Sequence, residues 1–236
     1  MVEIAGRAPA RFAAVKDAFA ANFAAGEELG ARFTLVEAGE TVLDLWAGHA
    51  DRAGSRPFDD RTLTPVFSTT KAIAALLVAR LVDQGKLTYE QTVASVWPEF
   101  AAAGKASITV EQLLSHQAGL SGFPDPMEPS LWFDWDAICA KLAAMAPLWP
   151  PGTASGYHPI TFGYLAGEVF KRVEGRSMCA ALHADLAAPF GLDLWIGLPD
   201  SEFGRVAELQ RPTALPDFGQ HNAATRAAFL TPRSSP

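Results

Sequence analysis

Ser68-Thr69-Thr70-Lys71 sets a hydroxyl and an ammonium three residues apart, where an irregular stretch gives way to the apolar run Ala72-Ile73-Ala74-Ala75-Leu76-Leu77-Val78. On a helix, residues i and i+3 share a face, so the two groups can meet. A serine hydroxyl is a weak nucleophile until a base takes its proton, and a desolvated lysine sheds its own proton readily, so Lys71 could be that base. The start of such a helix also offers backbone N–H groups, that of Ser68 among them, to an oxyanion. The tetrapeptide alone equally fits Ser68 as an N-cap and Lys71 as a surface charge. The apolar run favours the first reading, because a lone lysine at its mouth faces an internal cleft more readily than a charged surface.

Other chemistry finds less support. The chain has no HExxH, P-loop, GxGxxG or GxSxG pattern, since Gly119-Leu120-Ser121-Gly122 continues into Phe123. His116, in Leu113-Leu114-Ser115-His116-Gln117-Ala118-Gly119-Leu120, is read as hydrogen-bonding local backbone. A Ser-His-Asp hydrolase using His116, His158 or His183 is the weaker rival. Glu168 and Asp185 are taken as solvated-face or capping charges. Cys139 and Cys179 lack the spacing of a zinc site or redox dithiol and are expected free and buried.

The elements that must position Ser68 and Lys71 can be traced from the pattern. Phe12, Val15, Phe19 and Phe23 recur at helical spacing between Pro9 and Gly26. Arg32–Glu37 and Thr41–Trp46 form a hairpin around Gly39. Thr69–Gln84 is a central apolar helix closed by Gly85. Thr88 with Gln91, and Thr109 with Gln112, fit capping boxes opening helices. Trp132–Met145, Thr161–Val173 and Met178–Leu186 are helical, and the Pro/Gly-rich loop from Trp149 to Pro159 lies between the first two. Ala214–Pro236 loses periodicity. Two strands make a marginal sheet, so strands that complete it are expected from elsewhere.

The chain has 236 residues, 49% of them hydrophobic and 19% charged, with a net charge of −7. That excludes a disordered chain and gives the wrong sign for nucleic-acid binding through counterion release. The N-terminus carries Glu3, Arg7 and Arg11 in place of an apolar signal core, and no segment approaches ~18 uncharged residues, so a cytoplasmic protein without membrane contact is expected.

Four ordered stretches resemble the serine β-lactamase and penicillin-binding protein superfamily, most closely its class C-like family VIII carboxylesterases. They are Phe67–Lys71, Leu113–Leu120, Pro150–Ser177 and Pro189–Pro199. Ser-x-x-Lys is the nucleophile pattern of that superfamily. The resemblance implies an α/β (α+β) fold in which an antiparallel sheet is flanked by helices, with a mainly helical subdomain over roughly 86–190 following the nucleophile helix. It implies Ser68 as the acylated nucleophile, Lys71 as its proton-accepting partner, and Tyr157 as a second base working as a phenolate stabilised by Lys71. A phenol, with pKa near 10, needs such a neighbouring cation to titrate near neutrality. No metal or organic cofactor is implied. Phe123, Trp132 and His158 are the candidates for contacting substrate, and Trp135 and Trp149 could also wall an apolar acyl pocket.

Two departures shape the reading. The superfamily usually has Tyr-x-Asn, whose amide holds the substrate's amide side chain, whereas the third position here is Pro159. Short-chain esters, which need no such contact, are therefore the expected substrates; a β-lactamase or D-alanyl-D-alanine peptidase is the alternative. The third motif, Lys/His-x-Gly or Trp-Gly-Gly, is absent from Asp200–Pro236. The expectation is a single domain over 1–236 that is incomplete at its C-terminus, with a missing segment or a second polypeptide completing the sheet. Such a chain would hold half an oxyanion hole, and losing one donor can lower the rate ~10²–10³-fold. A non-catalytic binding module is the rival from another class.

Overall fold

The computed structural model describes residues 2–210, so the aperiodic stretch from Ala214 onward lies outside the described residues. Two compact units divide them: residues 2–65 with 198–210, and residues 66–197.

The first unit opens with strand β1 (Ile4–Arg7), then helix α1 (Ala13–Ala24), then the hairpin of β2 (Gly30–Glu37) and β3 (Glu40–Gly48). Positive φ at both Ala38 (51°) and Gly39 (85°) gives the two-residue turn the twist a hairpin needs. On α1 the expected stripe of Phe12, Val15, Phe19 and Phe23 is half-buried while most other positions are exposed. Along β3, Leu43, Leu45 and Ala47 alternate into the interior. The sheet has three strands in the order β1-β3-β2, all antiparallel. The third strand thus comes from the very start of the chain. Its sequence, Ile-Ala-Gly-Arg, is too short and polar to alternate, and Gly6 is required because a Cβ there would sit 2.0 Å from the Asp44 carbonyl oxygen. Residues 198–210 belong to this unit because the Ala207 N–H donates to the Leu63 carbonyl at 2.8 Å, the Leu63 N–H donates to the Arg205 carbonyl at 3.0 Å, and Arg56 donates to the carbonyls of Ala50 (3.1 Å), Val206 (2.7 Å) and Gly204.

The second unit is helical: α2 (Thr70–Asp83), α3 (Val110–Leu114), α4 (Trp135–Ala144), α5 (Thr161–Glu174) and α6 (Met178–Leu182), which continues as a π-turn over His183–Ala187. Its core joins Leu77, Val78 and Leu81 of α2 to Leu113, Ile138, Leu142, Leu165 and Val169. Burying each such side chain stabilises by about 1.5–3 kcal/mol. The Thr109–Gln112 box opens α3 as expected, with bonds of 3.2 and 3.1 Å. The Thr88–Gln91 box also forms, at 3.1 and 2.9 Å, yet closes only a turn, with a 3₁₀ segment Val93–Ser95 after it. Trp132–Met145 is broken at Asp134, which caps α4 by accepting the Ala137 N–H at 3.0 Å. No described helix is long and apolar enough to cross a membrane.

Three polar expectations are corrected here. Glu168 is buried, accepting from Trp135 Nε1 at 2.8 Å and Arg172 Nε at 2.7 Å, so its face of α5 is interior. Asp185 is no lone surface charge but pairs with Arg80 at 3.1 Å and Arg176 at 2.8 Å. Of the two free thiols Cys139 is buried, and Cys179 is exposed.

Candidate active site

Ser68 sits in a 3₁₀ turn, Phe67–Thr69, that runs into α2. Three residues on, across the junction with α2, Lys71 returns to the same side as Ser68. Lys71 Nζ donates to Ser68 Oγ at 3.1 Å and to the Pro159 carbonyl at 2.8 Å. Phe67, immediately before the serine, has φ of 45°, a left-handed conformation costly for a bulky side chain. It kinks the chain so that Ser68 is exposed at the turn while α2 proceeds inward.

The third group arrives from 89 residues away: the Tyr157 hydroxyl donates to Ser68 Oγ at 2.6 Å. Lys71 Nζ also stands 4.9 Å from the Tyr157 ring centroid and 5.6 Å from that of Phe162. Burial pushes the phenol up, but its hydrogen bonds to Ser68 and Lys71 and the lysine's charge outweigh that, and its pKa falls below the usual 10. Among the described residues, no three His, Cys, Asp or Glu side chains converge to hold a metal.

Two hydrogen-bonded stretches present Tyr157. Gly119 accepts from Leu148 at 2.7 Å, Gln117 from Gly152 at 3.0 Å and His116 from Gly156 at 3.0 Å, all backbone to backbone. Ser155 Oγ adds a bond to the Ser115 carbonyl at 3.0 Å. The segment 115–120 is therefore a template along which 148–158 is laid. Gly119 and Gly156 are needed for closeness: a Cβ would lie 2.6 Å from the Trp149 carbonyl oxygen at the first and 2.5 Å from the Trp149 ring at the second.

The family model described as Beta-lactamase matches residues 15–229. The chain belongs to the β-lactamase family.

Among its relatives, the esterase/β-lactamase LipL of Mycobacterium tuberculosis is 39% identical over 209 residues, 88% of this chain and 48% of that protein. A solved penicillin-binding protein homolog from Caulobacter crescentus superposes with a TM-score of 0.93 at 65% identity, covering 99% of this chain and 63% of that one. A family VIII carboxylesterase superposes with a TM-score of 0.83 at 50% identity, covering 88% and 57%. The mixed α/β architecture is thus the β-lactamase and penicillin-binding protein fold, and the chain spans about half the length of the relative from M. tuberculosis.

The positions expected to touch substrate in this β-lactamase-family chain divide. His158 is a correction: it is fully buried, its Nδ1–H donating to the Gly156 carbonyl at 2.6 Å and its Nε2 accepting the Leu120 N–H at 2.9 Å. Burial, with the His116 charge adding to it, lowers its pKa to about 4 despite the Gly156 bond. With both ring nitrogens engaged it holds the two loops together and leaves nothing for a ligand. Trp149 lies under the same loop, donating to the Ala154 carbonyl at 3.0 Å, and Trp135 is committed to Glu168. Phe123 and Trp132 meet edge to face, centroids 5.8 Å apart, and pack on the helical core beside Tyr164. Trp132 Nε1 is buried with no hydrogen-bond partner among the described residues. His116 accepts a backbone N–H, though from distant His158 and not from its own neighbourhood.

Sequence reasoning missed Lys105, which is fully buried with Nζ donating to the Ala102 carbonyl at 2.8 Å and to that of Met145. Burial lowers its pKa. Nothing in Gly104-Lys105-Ala106 signals this, because the acceptors are carbonyls freed by two separate helix ends.

Proposed function

We propose that the protein is a serine hydrolase that cleaves short-chain carboxylic esters through an acyl-enzyme on Ser68. The observation that carries this is the meeting of Tyr157 Oη and Lys71 Nζ on one serine oxygen, at 2.6 and 3.1 Å. As a phenolate, Tyr157 accepts the Ser68 proton while Oγ attacks the ester carbonyl carbon and the carbonyl electron pair moves to oxygen. Collapse expels the alcohol, which takes the proton back from Tyr157. Water then attacks the acyl-serine by the same route, releasing the acid and restoring Ser68. Lys71 keeps the phenolate form accessible and tethers the site to the Pro159 carbonyl.

Two observations favour esters over amides. Pro159 offers only its carbonyl, already taken by Lys71, where the superfamily usually places an amide side chain. The relatives whose names mention esters lend the same support. A second oxyanion donor, which this reading requires, would come from a further segment or a second polypeptide. A non-catalytic binding module is the rival reading. Hydrolysis of p-nitrophenyl acetate and butyrate, set beside nitrocefin, tests the proposal. Ester turnover lost in Ser68→Ala supports it, nitrocefin turnover exceeding ester turnover favours the lactamase, and neither favours the binding module.

A further inference from the structure

His116 makes three different bonds, two of which end on the loop that carries Tyr157. Its N–H donates to the Leu113 carbonyl at 3.3 Å, closing the end of α3. Its carbonyl accepts the Gly156 N–H at 3.0 Å, and its Nδ1 accepts the His158 N–H at 3.1 Å. The residue therefore holds the N–H of each residue beside Tyr157, Gly156 and His158. Its ring packs edge-on against the phenol, centroids 4.9 Å apart at 62°, with Phe162 at 5.2 Å behind it. Reaching both neighbours needs a backbone turned back on itself, and His116 has φ of 63°. Histidine and asparagine are among the few non-glycine residues enriched in that region, and strain of this kind persists where surrounding contacts over-determine it.

We propose that His116 is a positioning residue for Tyr157: its carbonyl and Nδ1 fix the N–H groups of Gly156 and His158 on either side so that the phenol oxygen stays on Ser68. The inference rests on the hydrolase reading for its consequence, though not for its geometry. Because Nδ1 accepts, the neutral ring carries its proton on Nε2; burial and then the Lys71 charge lower the His116 pKa, which keeps Nδ1 free to accept. Lys71 and His116 are the titratable groups that contact the phenol ring.

The role makes a demand that simple packing would not. Asparagine places Oδ1 where histidine has Nδ1 and tolerates the left-handed region, whereas leucine keeps bulk but loses the acceptor. The full chain and its His116→Asn and His116→Leu variants would be labelled with [13Cζ]tyrosine and titrated by NMR. Only three tyrosines exist, and Tyr157→Phe assigns the relevant signal. The rate of Ser68 phosphonylation by an aryl alkylphosphonate is measured alongside. Leucine is expected to raise the Tyr157 midpoint by about half a pH unit or more, as contact with Ser68 and Lys71 loosens, and to slow labelling about 10–100-fold. Asparagine is expected to return both to within about threefold of the parent.

An unchanged midpoint in the leucine variant, or an asparagine variant as impaired as leucine, overturns the proposal. If the leucine chain does not fold, the asparagine chain decides: a Tyr157 midpoint matching the parent upholds the acceptor role and a raised one refutes it. A parent that takes no phosphonate refutes the hydrolase reading instead, while the titration still judges His116.

Discussion

The Tyr157 hydroxyl lies 2.6 Å from Ser68 Oγ, nearer than Lys71 Nζ at 3.1 Å. A neutral phenol is far too weak a base to take the serine proton, so on the proposed mechanism that proton moves to Tyr157 only once the phenol has ionised. In the proposed mechanism the lysine therefore acts mainly through the charge and hydrogen bonds that favour the phenolate, with the tyrosine receiving the proton.

Tyr157→Phe keeps the ring and its packing against His116 but removes the acceptor. Phosphonylation of Ser68 should slow about 10²–10⁴-fold, the usual range for a lost general base. The thermal midpoint should stay near the parent's, because Tyr157 is half-exposed.

The pH profile follows from the lowered phenol pKa. Acylation needs the deprotonated form, so its rate should rise with pH through a midpoint below 10. Lys71→Met removes the stabilising charge and should move that midpoint upward while lowering the rate at pH 7. Phosphonylation rates from pH 6 to 10 in the two chains would check the direction.

His158 ties stability to pH. In the folded chain it stays neutral down to about pH 4, whereas the unfolded chain takes up the proton near 6.5. Between those values the unfolded state binds more protons, so stability is full above 6.5 and is lost as the pH falls toward 4, by about 3 kcal/mol in all. His158→Gln should be less stable than the parent at pH 7 and show a flatter dependence across the window. Urea midpoints at pH 7 and pH 5 would reveal both effects.

How much of this was legible in advance differs by element. The α1 stripe, the hairpin turn at Gly39 and the Ser-x-x-Lys pair carry their signal in residue type and short spacing, whereas Tyr157 comes only from the resemblance to the serine β-lactamase superfamily. Strand β1 did not, because four residues with one large apolar side chain form a strand only where β3 offers an edge. The Thr88–Gln91 box misled because a cap can close a turn without a helix behind it. The sequence points to His158 as a substrate contact and to Glu168 as a surface charge, and does not signal Lys105, since their burial depends on partners 33 to 40 residues away. The positive φ of Phe67 has no trace in the sequence at all.

Glu168 offers a test of the helical unit. Glu168→Ala strands the Trp135 N–H and leaves Arg172 with Glu99 alone, which it contacts at 2.8 Å. A loss of about 2–3 kcal/mol is expected, below that of a fully buried pair because Arg172 is 30% exposed. Glu168→Gln, which keeps an acceptor for Trp135, should lose less. Chemical denaturation of the two variants would rank them.

Pro159→Asn restores the Tyr-x-Asn pattern while leaving a backbone carbonyl for Lys71. Nitrocefin acylation should increase relative to p-nitrophenyl butyrate hydrolysis. An unchanged ratio would mean that Pro159 does not set the preference for esters.

The most direct test is the intact mass of the chain after incubation with an aryl alkylphosphonate, beside a Ser68→Ala control. One adduct per chain, absent from the control, is the predicted result and would mean that Ser68, Lys71 and Tyr157 form a competent nucleophile. No adduct, or an adduct that survives loss of Ser68, would contradict it.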